Sequence, residues 1–246
     1  MALWKRPESV PPKIWIREKG FVVRDITPDL DQFVLDFMVD NLCRDAPLSK
    51  STELYKDQAS LDDMVWIWRD LSLPQRVSLV ALAEGTPGAD MKNVGPENPP
   101  IILGANMLSV SSKGDPDLPI LEMIKGHAIK KVFEHTEKFG KDVNVFEQFH
   151  VDHYMDALGL SVGRENRGRG LGELLLRARL ELCRGLGIPL TKTSFTAAAS
   201  QKLAARVGFE VVKEMSYSEM TDEDGKPEFP DLCDGVQTMQ LCICRV

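Results

Sequence analysis

Apolar residues along this 246-residue chain switch between strand-like and helix-like spacing, and the switches mark out its elements. Residues 14–27, IWIREKGFVVRDIT, are rich in β-branched and aromatic side chains around a glycine turn, the pattern of a strand or short hairpin. Thr27 then stands where a helix N-cap belongs, with Pro28 at the first helical position. Leu30, Phe33, Val34, Phe37 and Met38 recur every three or four residues, which predicts an amphipathic helix ending before Cys43. A second helix is predicted over residues 58–72. Its Trp66 and Trp68 cannot share a helix face, so one packs inward and the other lines a surface or pocket. The apolar runs SLVALAEG and IILGANMLSV predict a hairpin with a long loop, because TPGADMKNVGPENPP between them is dense in turn formers. Residues 117–140 are helical in pattern with a weak point at Gly126, and HYMDALGLSV (153–162) is a strand.

The stretch at 164–182, RENRGRGLGELLLRARLEL, opens as a glycine-rich loop and becomes a helix whose apolar face is Leu171, Leu174, Leu175, Ala178 and Leu182. Gly185 and Gly187 are expected to close that helix. IPLTKTSF follows as a strand, AAASQKLAARVG as a short helix ending at Gly208, FEVVKEMSY as a strand, and the chain ends in another strand-like run. Strands first meander and then alternate with helices, which predicts a mixed α/β (α+β) single domain without internal repeats over residues 1–246.

A net charge of −7 argues against a dedicated nucleic-acid binder, whose footprint is a basic face, and is compatible with a cationic substrate. No apolar run approaches the roughly 18 residues of a membrane span. MALWKRPESVPPK lacks the apolar core of a signal peptide, so a soluble, cytoplasmic protein is expected, with no membrane and no nucleic-acid partner. The five cysteines (43, 183, 233, 242 and 244) are odd in number and irregular in spacing, and read as reduced thiols, with Cys242 and Cys244 on one face of the last strand. The histidines at 127, 135, 150 and 153 show no ligand spacing, so no metal is expected.

Glycines at 168, 170 and 172 between Arg164, Arg167 and Arg169 let the backbone turn tightly at a helix start, where unpaired N–H groups favour an anion. The Walker pattern is absent from the chain. The dinucleotide fingerprint fails on glycine spacing and on the missing acid about 20 residues later. A plain helix-capping turn remains the alternative on the loop alone.

Context decides. The strand LGLSV, then Arg167-x-x-Gly170-x-Gly172, a leucine-rich helix, a strand, a small-residue helix and VGFE resemble the acetyl-CoA-binding core of the GCN5-related N-acetyltransferases. Over about residues 20 to 245 the chain further resembles the insect arylalkylamine N-acetyltransferase branch. RDAPLSKS (44–51) stands for its Asp-Glu-Pro-Leu-type motif, NVFEQFHVDHYMDALGLSV for its long insertion, NRGRGLG for its loop, and TDEDGKPEFPDL for its acidic turn before the last strand. The resemblance implies a mostly antiparallel central sheet with a splayed parallel strand pair and helices on both faces, the acetyl-CoA-binding core at about 155–212, and an acceptor pocket formed by the N-terminal and inserted segments. It implies that Leu160, Ser161 and Val162 meet the pantetheine, and that Arg167, Gly168, Arg169, Gly170, Leu171 and Gly172 cradle the pyrophosphate.

Acetyl transfer to a small amine in a ternary complex asks for a base near the amine and a proton donor near the departing thiolate. The branch places its base at the glutamate of Asp-Glu-Pro-Leu, but this chain has Ala46 there. Asp45 acting through water, another acid such as Glu147, Asp152 or Asp156, or a slow or inactive protein are the readings left open. Many relatives place a tyrosine four residues before the Gly-Phe pair, where this chain has Ala204. Ser200, with Thr196 one turn earlier, is the expected hydroxyl donor, Thr196 reading equally as a helix cap. The donor is expected to be acetyl-CoA and the acceptor an arylalkylamine-type amine, with polyamine or agmatine acetylation and acyl-CoA binding with weak or no catalysis as alternatives.

Overall fold

In the computed structural model, which describes residues 4–116, 118–232 and 235–246, the first apolar alternation folds back at Lys19 and Gly20. The resulting hairpin pairs β1 (Ile14–Glu18) with β2 (Phe21–Asp25). A 3-10 turn at Pro28–Leu30 leads into α1 (Asp31–Asp45), which runs past the predicted stop through Cys43, Arg44 and Asp45. None of the three breaks a helix, and Cys43 is buried. The helix ends only at Ala46, which is extended at ψ 140 because the residue before a proline is driven out of the helical region. Pro47 then starts α2 (Pro47–Ser51). The next helix, α3 (Gln58–Trp66), is capped by Asp57 and continues as a π-helical turn over Ile67–Ser72. As their spacing requires, Trp68 is fully buried while Trp66 stays half-buried.

The long hairpin forms as β3 (Leu79–Ala83) and β4 (Ile102–Ser112). The predicted helix at 117–140 breaks near Gly126 into α4 (Ile120–Met123) and α5 (His127–Gly140). There follow α6 (Val145–Phe149), β5 (His153–Val162), α7 (Leu171–Leu186), β6 (Leu190–Phe195), α8 (Ala198–Val207), β7 (Glu210–Ser216) and β8 (Thr238–Arg245). Gly187 closes α7 at φ 69, but Gly185 lies inside the last turn, where a Cβ would sit 2.5 Å from the Trp15 ring.

The sheet has the order β1-β2-β3-β4-β5-β6-β8-β7, and every neighbouring pair is antiparallel except β5 and β6. One face packs Leu171, Leu175 and Leu182 of α7 on Val23, Leu79, Ala81 and Met155. The other packs Val34 and Met38 of α1, Trp68 and Ile129 on Val22, Val80, Leu82 and Met107. Because β3 begins at Leu79, β4 beyond Asn106 has no strand beside it on that side among the described residues. Side chains take its place. Ser78 Oγ accepts the Leu108 N–H (3.0 Å), Gln75 Oε1 accepts that of Val110 (2.7 Å), and Ser72 Oγ donates to the Leu108 carbonyl (2.7 Å).

Cys43, Cys183, Cys242 and Cys244 are buried free thiols, while Cys233 lies outside the described residues. Burial pushes Cys43 and Cys183 up to about 12, far from reactive thiolates. Among the described residues no helix is long and apolar enough to cross a membrane, and no group of three or more His, Cys, Asp or Glu side chains is placed to hold a metal ion.

Candidate active site

The parallel pair forms a fork. β5 and β6 are in register only at Met155 and Thr191. Beyond that point β5 stays with β4 as far as Val162, opposite Gly104, and β6 stays with β8 as far as Phe195, opposite Gln240. The edges facing each other, 157–162 on one side and 192–195 on the other, therefore part like the arms of a V, and their backbone groups there are not paired with one another. Within the first arm Leu158 is an extra residue, since Ala157 opposes Leu108 and Gly159 opposes Met107. The Leu158 carbonyl accepts the indole N–H of buried Trp68 (2.8 Å), and the Gly159 carbonyl accepts Asn106 Nδ2 (3.0 Å). Both peptide planes at the bulge are thus held by side chains.

The glycine loop sits at the open end of the V. After Val162 a 3-10 turn at Arg164–Asn166 leads through Gly168 and Gly170, at φ 77 and 84, into α7. Those angles favour glycine, and a Cβ at either position would meet nothing within 4 Å, so the loop borders open space. Among the described residues no side chain caps the start of α7, so its first N–H groups have no side-chain partner. Leu160 and Val162 are half-buried, while Ser161, Leu171 and Gly172 are buried.

The three arginines differ. Arg164 binds the Asp45 carboxylate through Nε and Nη2, both at 2.7 Å, and Arg167 binds it through Nη2 at 2.5 Å while its Nε reaches the Val162 carbonyl (3.1 Å). Arg169 instead bonds Asn166 Oδ1 and lies over the Phe21 ring, 4.9 Å from its centre. Burial alone raises the Asp45 pKa, but the hydrogen bonds and charges of Arg164 and Arg167 together outweigh it and hold the carboxyl below its usual range. Asp45 is therefore a partner of the loop arginines, and proton acceptance there is disfavoured.

The remaining sequence candidates are scattered. Glu147 and Asp152 are exposed, and Asp156 is paired with Lys192 at 2.8 Å just past the strand junction. Ser200 Oγ, in the first turn of α8, donates to the Ala197 carbonyl (2.8 Å). Thr196 does not cap α8; the N-cap is Ala197, and the Thr196 carbonyl accepts the Tyr217 hydroxyl (3.1 Å). Burial raises the phenol of Tyr217 well above its usual range. Neither Tyr217 nor Arg179 is evident from motifs. Arg179 had a signal, since it falls four residues after Leu175 and three before Leu182, on the apolar face of α7. It is fully buried at the strand junction.

No family model matches the chain, and no curated protein does. Solved structures match over nearly its whole length. An insect arylalkylamine N-acetyltransferase 7, described as putative, from the yellow fever mosquito Aedes aegypti is 30% identical, with 98% of this chain and 99% of that one covered and a TM-score of 0.85. Two others share the fold. Arylalkylamine N-acetyltransferase 2 from Aedes aegypti is 22% identical over 92% and 99% of the two chains, with a TM-score of 0.76. The polyamine N-acetyltransferase of Drosophila melanogaster, described as forming N-acetylagmatine, is 18% identical over 92% and 100%, with a TM-score of 0.71. With the parted strands, the glycine loop at their open end and a full-length relative at that identity, the chain belongs to the insect arylalkylamine N-acetyltransferase branch of the GCN5-related N-acetyltransferases.

Proposed function

We propose that this protein transfers an acetyl group from acetyl-CoA to the nitrogen of a small amine, with acetyl-CoA lying in the fork between β5 and β6. The observation that carries the reading is the coincidence of two features. One is a parallel strand pair that separates after a single register position; the other is an uncapped helix start, preceded by a glycine loop, at the open end of the separation. Backbone groups of Leu160 and Val162, flanking Ser161, serve the pantetheine amides as a neighbouring strand would. The backbone from Arg167 to Gly172 receives the pyrophosphate, with Arg164 and Arg167 beside it.

Bound acetyl-CoA supplies the thioester. The amine nitrogen bonds to the carbonyl carbon, the carbon–sulfur bond breaks, and the amine loses a proton while the thiolate gains one. Ser200 is the hydroxyl assigned to the thiolate, with Thr196 near it. Ala46 offers no carboxylate and Asp45 is engaged by two arginines, so the amine proton leaves through water, which favours an amine of lower basicity. Relatives are described by arylalkylamine, agmatine and polyamine substrates, and these define the panel. Incubation with acetyl-CoA and each amine should release free CoA with at least one; release with none overturns the proposal.

Ala46 also favours a second reading, an acyl-CoA-binding protein with little transfer. The Ala46→Glu variant separates the two. A large gain in turnover at unchanged acetyl-CoA affinity marks a site that has lost its base. Unchanged or reduced turnover shows that proton removal already has another route.

A further inference from the structure

The strands of the fork do not part by sequence preference alone. Beyond the junction β5 carries the extra residue Leu158 and Gly159 at φ 136, which disturb pairing there but do not by themselves fix how far apart the two strands stand. At the junction a single guanidinium intervenes. Arg179 reaches in from α7, wholly buried, and donates from Nη2 to the Met155 carbonyl on β5 (3.2 Å) and to the Lys192 carbonyl on β6 (2.6 Å), and from Nη1 to Thr193 Oγ1 (2.6 Å). Thr191 Oγ1 adds a second donor to the Met155 carbonyl (2.9 Å). The Phe209 ring lies 5.7 Å from the guanidinium carbon. On the opposite face, one residue further along each strand, Lys192 Nζ pairs with Asp156 at 2.8 Å. The junction is pinned from both faces.

Among the described residues no carboxylate hydrogen-bonds Arg179, and its Nε has no partner. Burial pulls its pKa down to about 10, against the opposing pull of the Asp156 carboxylate, and it remains a cation at neutral pH. A buried cation without a directly bonded anion is an expensive way to fill a space that leucine or methionine would fill on a helix face. What it does that an apolar residue cannot is hold two carbonyls on different strands in one rigid plane. Once those carbonyls bond to the guanidinium, the arms beyond them are spread at a set width.

We propose that Arg179 is the positioning residue that sets the opening between β5 and β6, so that acetyl-CoA enters as the missing strand between them. It acts through the two strands, touching neither acetyl group nor amine. The proposal rests on the fork as the acetyl-CoA site. Its consequence is a division of effects: Arg179 governs acetyl-CoA affinity and leaves acetyl transfer from the bound complex little changed.

The test compares wild type with Arg179→Met, Arg179→Lys, Thr191→Val and, as a control on the exposed face of the same helix, Arg177→Met. Acetyl-CoA affinity is measured by calorimetry, steady-state kinetics are measured for both substrates, and folding is checked by near-UV circular dichroism and melting. Arg179→Met should weaken acetyl-CoA binding and raise its KM tenfold or more, with kcat at saturating acetyl-CoA and the amine KM within about threefold of wild type. Arg179→Lys should recover part of the affinity, Thr191→Val should lose two- to fivefold, and Arg177→Met should match wild type. If Arg179→Met does not fold, Arg179→Lys and Thr191→Val carry the same split. A folded Arg179 variant that binds acetyl-CoA like wild type, or whose loss falls in kcat alone, overturns the proposal while leaving the site intact. A wild-type protein that fails to bind acetyl-CoA overturns both.

Discussion

Asp45→Asn tests whether the loop arginines are held in reserve by an internal anion. The change keeps shape and removes charge from a side chain that is 11% exposed, lying between Arg164 and Arg167, which are 54% and 48% exposed. Half-exposed pairs are worth about 0.2–1 kcal/mol each, so the two together contribute about 0.5–2 kcal/mol. For a chain of this length that corresponds to a fall of about 1–8 °C in melting temperature at pH 7. The folded-state pKa of Asp45 lies below its unfolded value of about 3.9, so the contribution is present above that pH and is lost as pH falls through the folded value. Melting curves of variant and wild type should therefore differ at pH 7 and converge below pH 4. The same carboxylate competes with any phosphate for both guanidinium groups. Its removal should tighten CoA binding by about 0.5–1.5 kcal/mol, or about two- to tenfold, and less as salt is added. Calorimetry at pH 7 that finds weaker CoA binding in Asp45→Asn, or a stability gap that widens towards acid, refutes the reasoning.

Trp68→Phe removes the indole N–H from the part-buried Leu158 carbonyl, a loss of about 1–3 kcal/mol by denaturant titration. In the same variant kcat should fall more than acetyl-CoA affinity, and a stability change below about 0.5 kcal/mol would show that the bond does not hold the bulge. Gly170→Ala forces a Cβ into a φ of 84, costing about 1–2 kcal/mol, and should weaken CoA binding about tenfold by calorimetry; unchanged CoA affinity would remove the loop from the phosphate site.

The glycine loop, its strand and its helix were legible because their signals are local: glycines where φ is positive, and leucines at helical spacing. The stop of α1 lies later than the spacing predicts for a local reason as well, since it depends on Pro47 acting backward on Ala46 and not on the residues before Cys43. The site itself depends on pairings across the sequence. Asp45 meets Arg164 and Arg167 more than a hundred residues away, and no pattern near residue 45 announces those partners. Tyr217 reaches Thr196 from beyond β7 in the same way. Arg179 falls between these cases. Its spacing from Leu175 and Leu182 holds a signal of burial that no motif points to, while its partners, two carbonyls on diverging strands, emerge only from the sheet order.

The way β4 is finished has its own consequence. A strand left open beside a shorter neighbour offers a template on which another chain can grow, and natural sheets usually blunt such edges with charge or a bulge. Here Gln75 and Ser78 occupy the donors of Val110 and Leu108, and Ser72 occupies the Leu108 acceptor, all from within one folded segment. The protein closes its ladder against strangers with three uncharged side chains, so the strand that backs the fork is protected against intermolecular growth without carrying charge into its core.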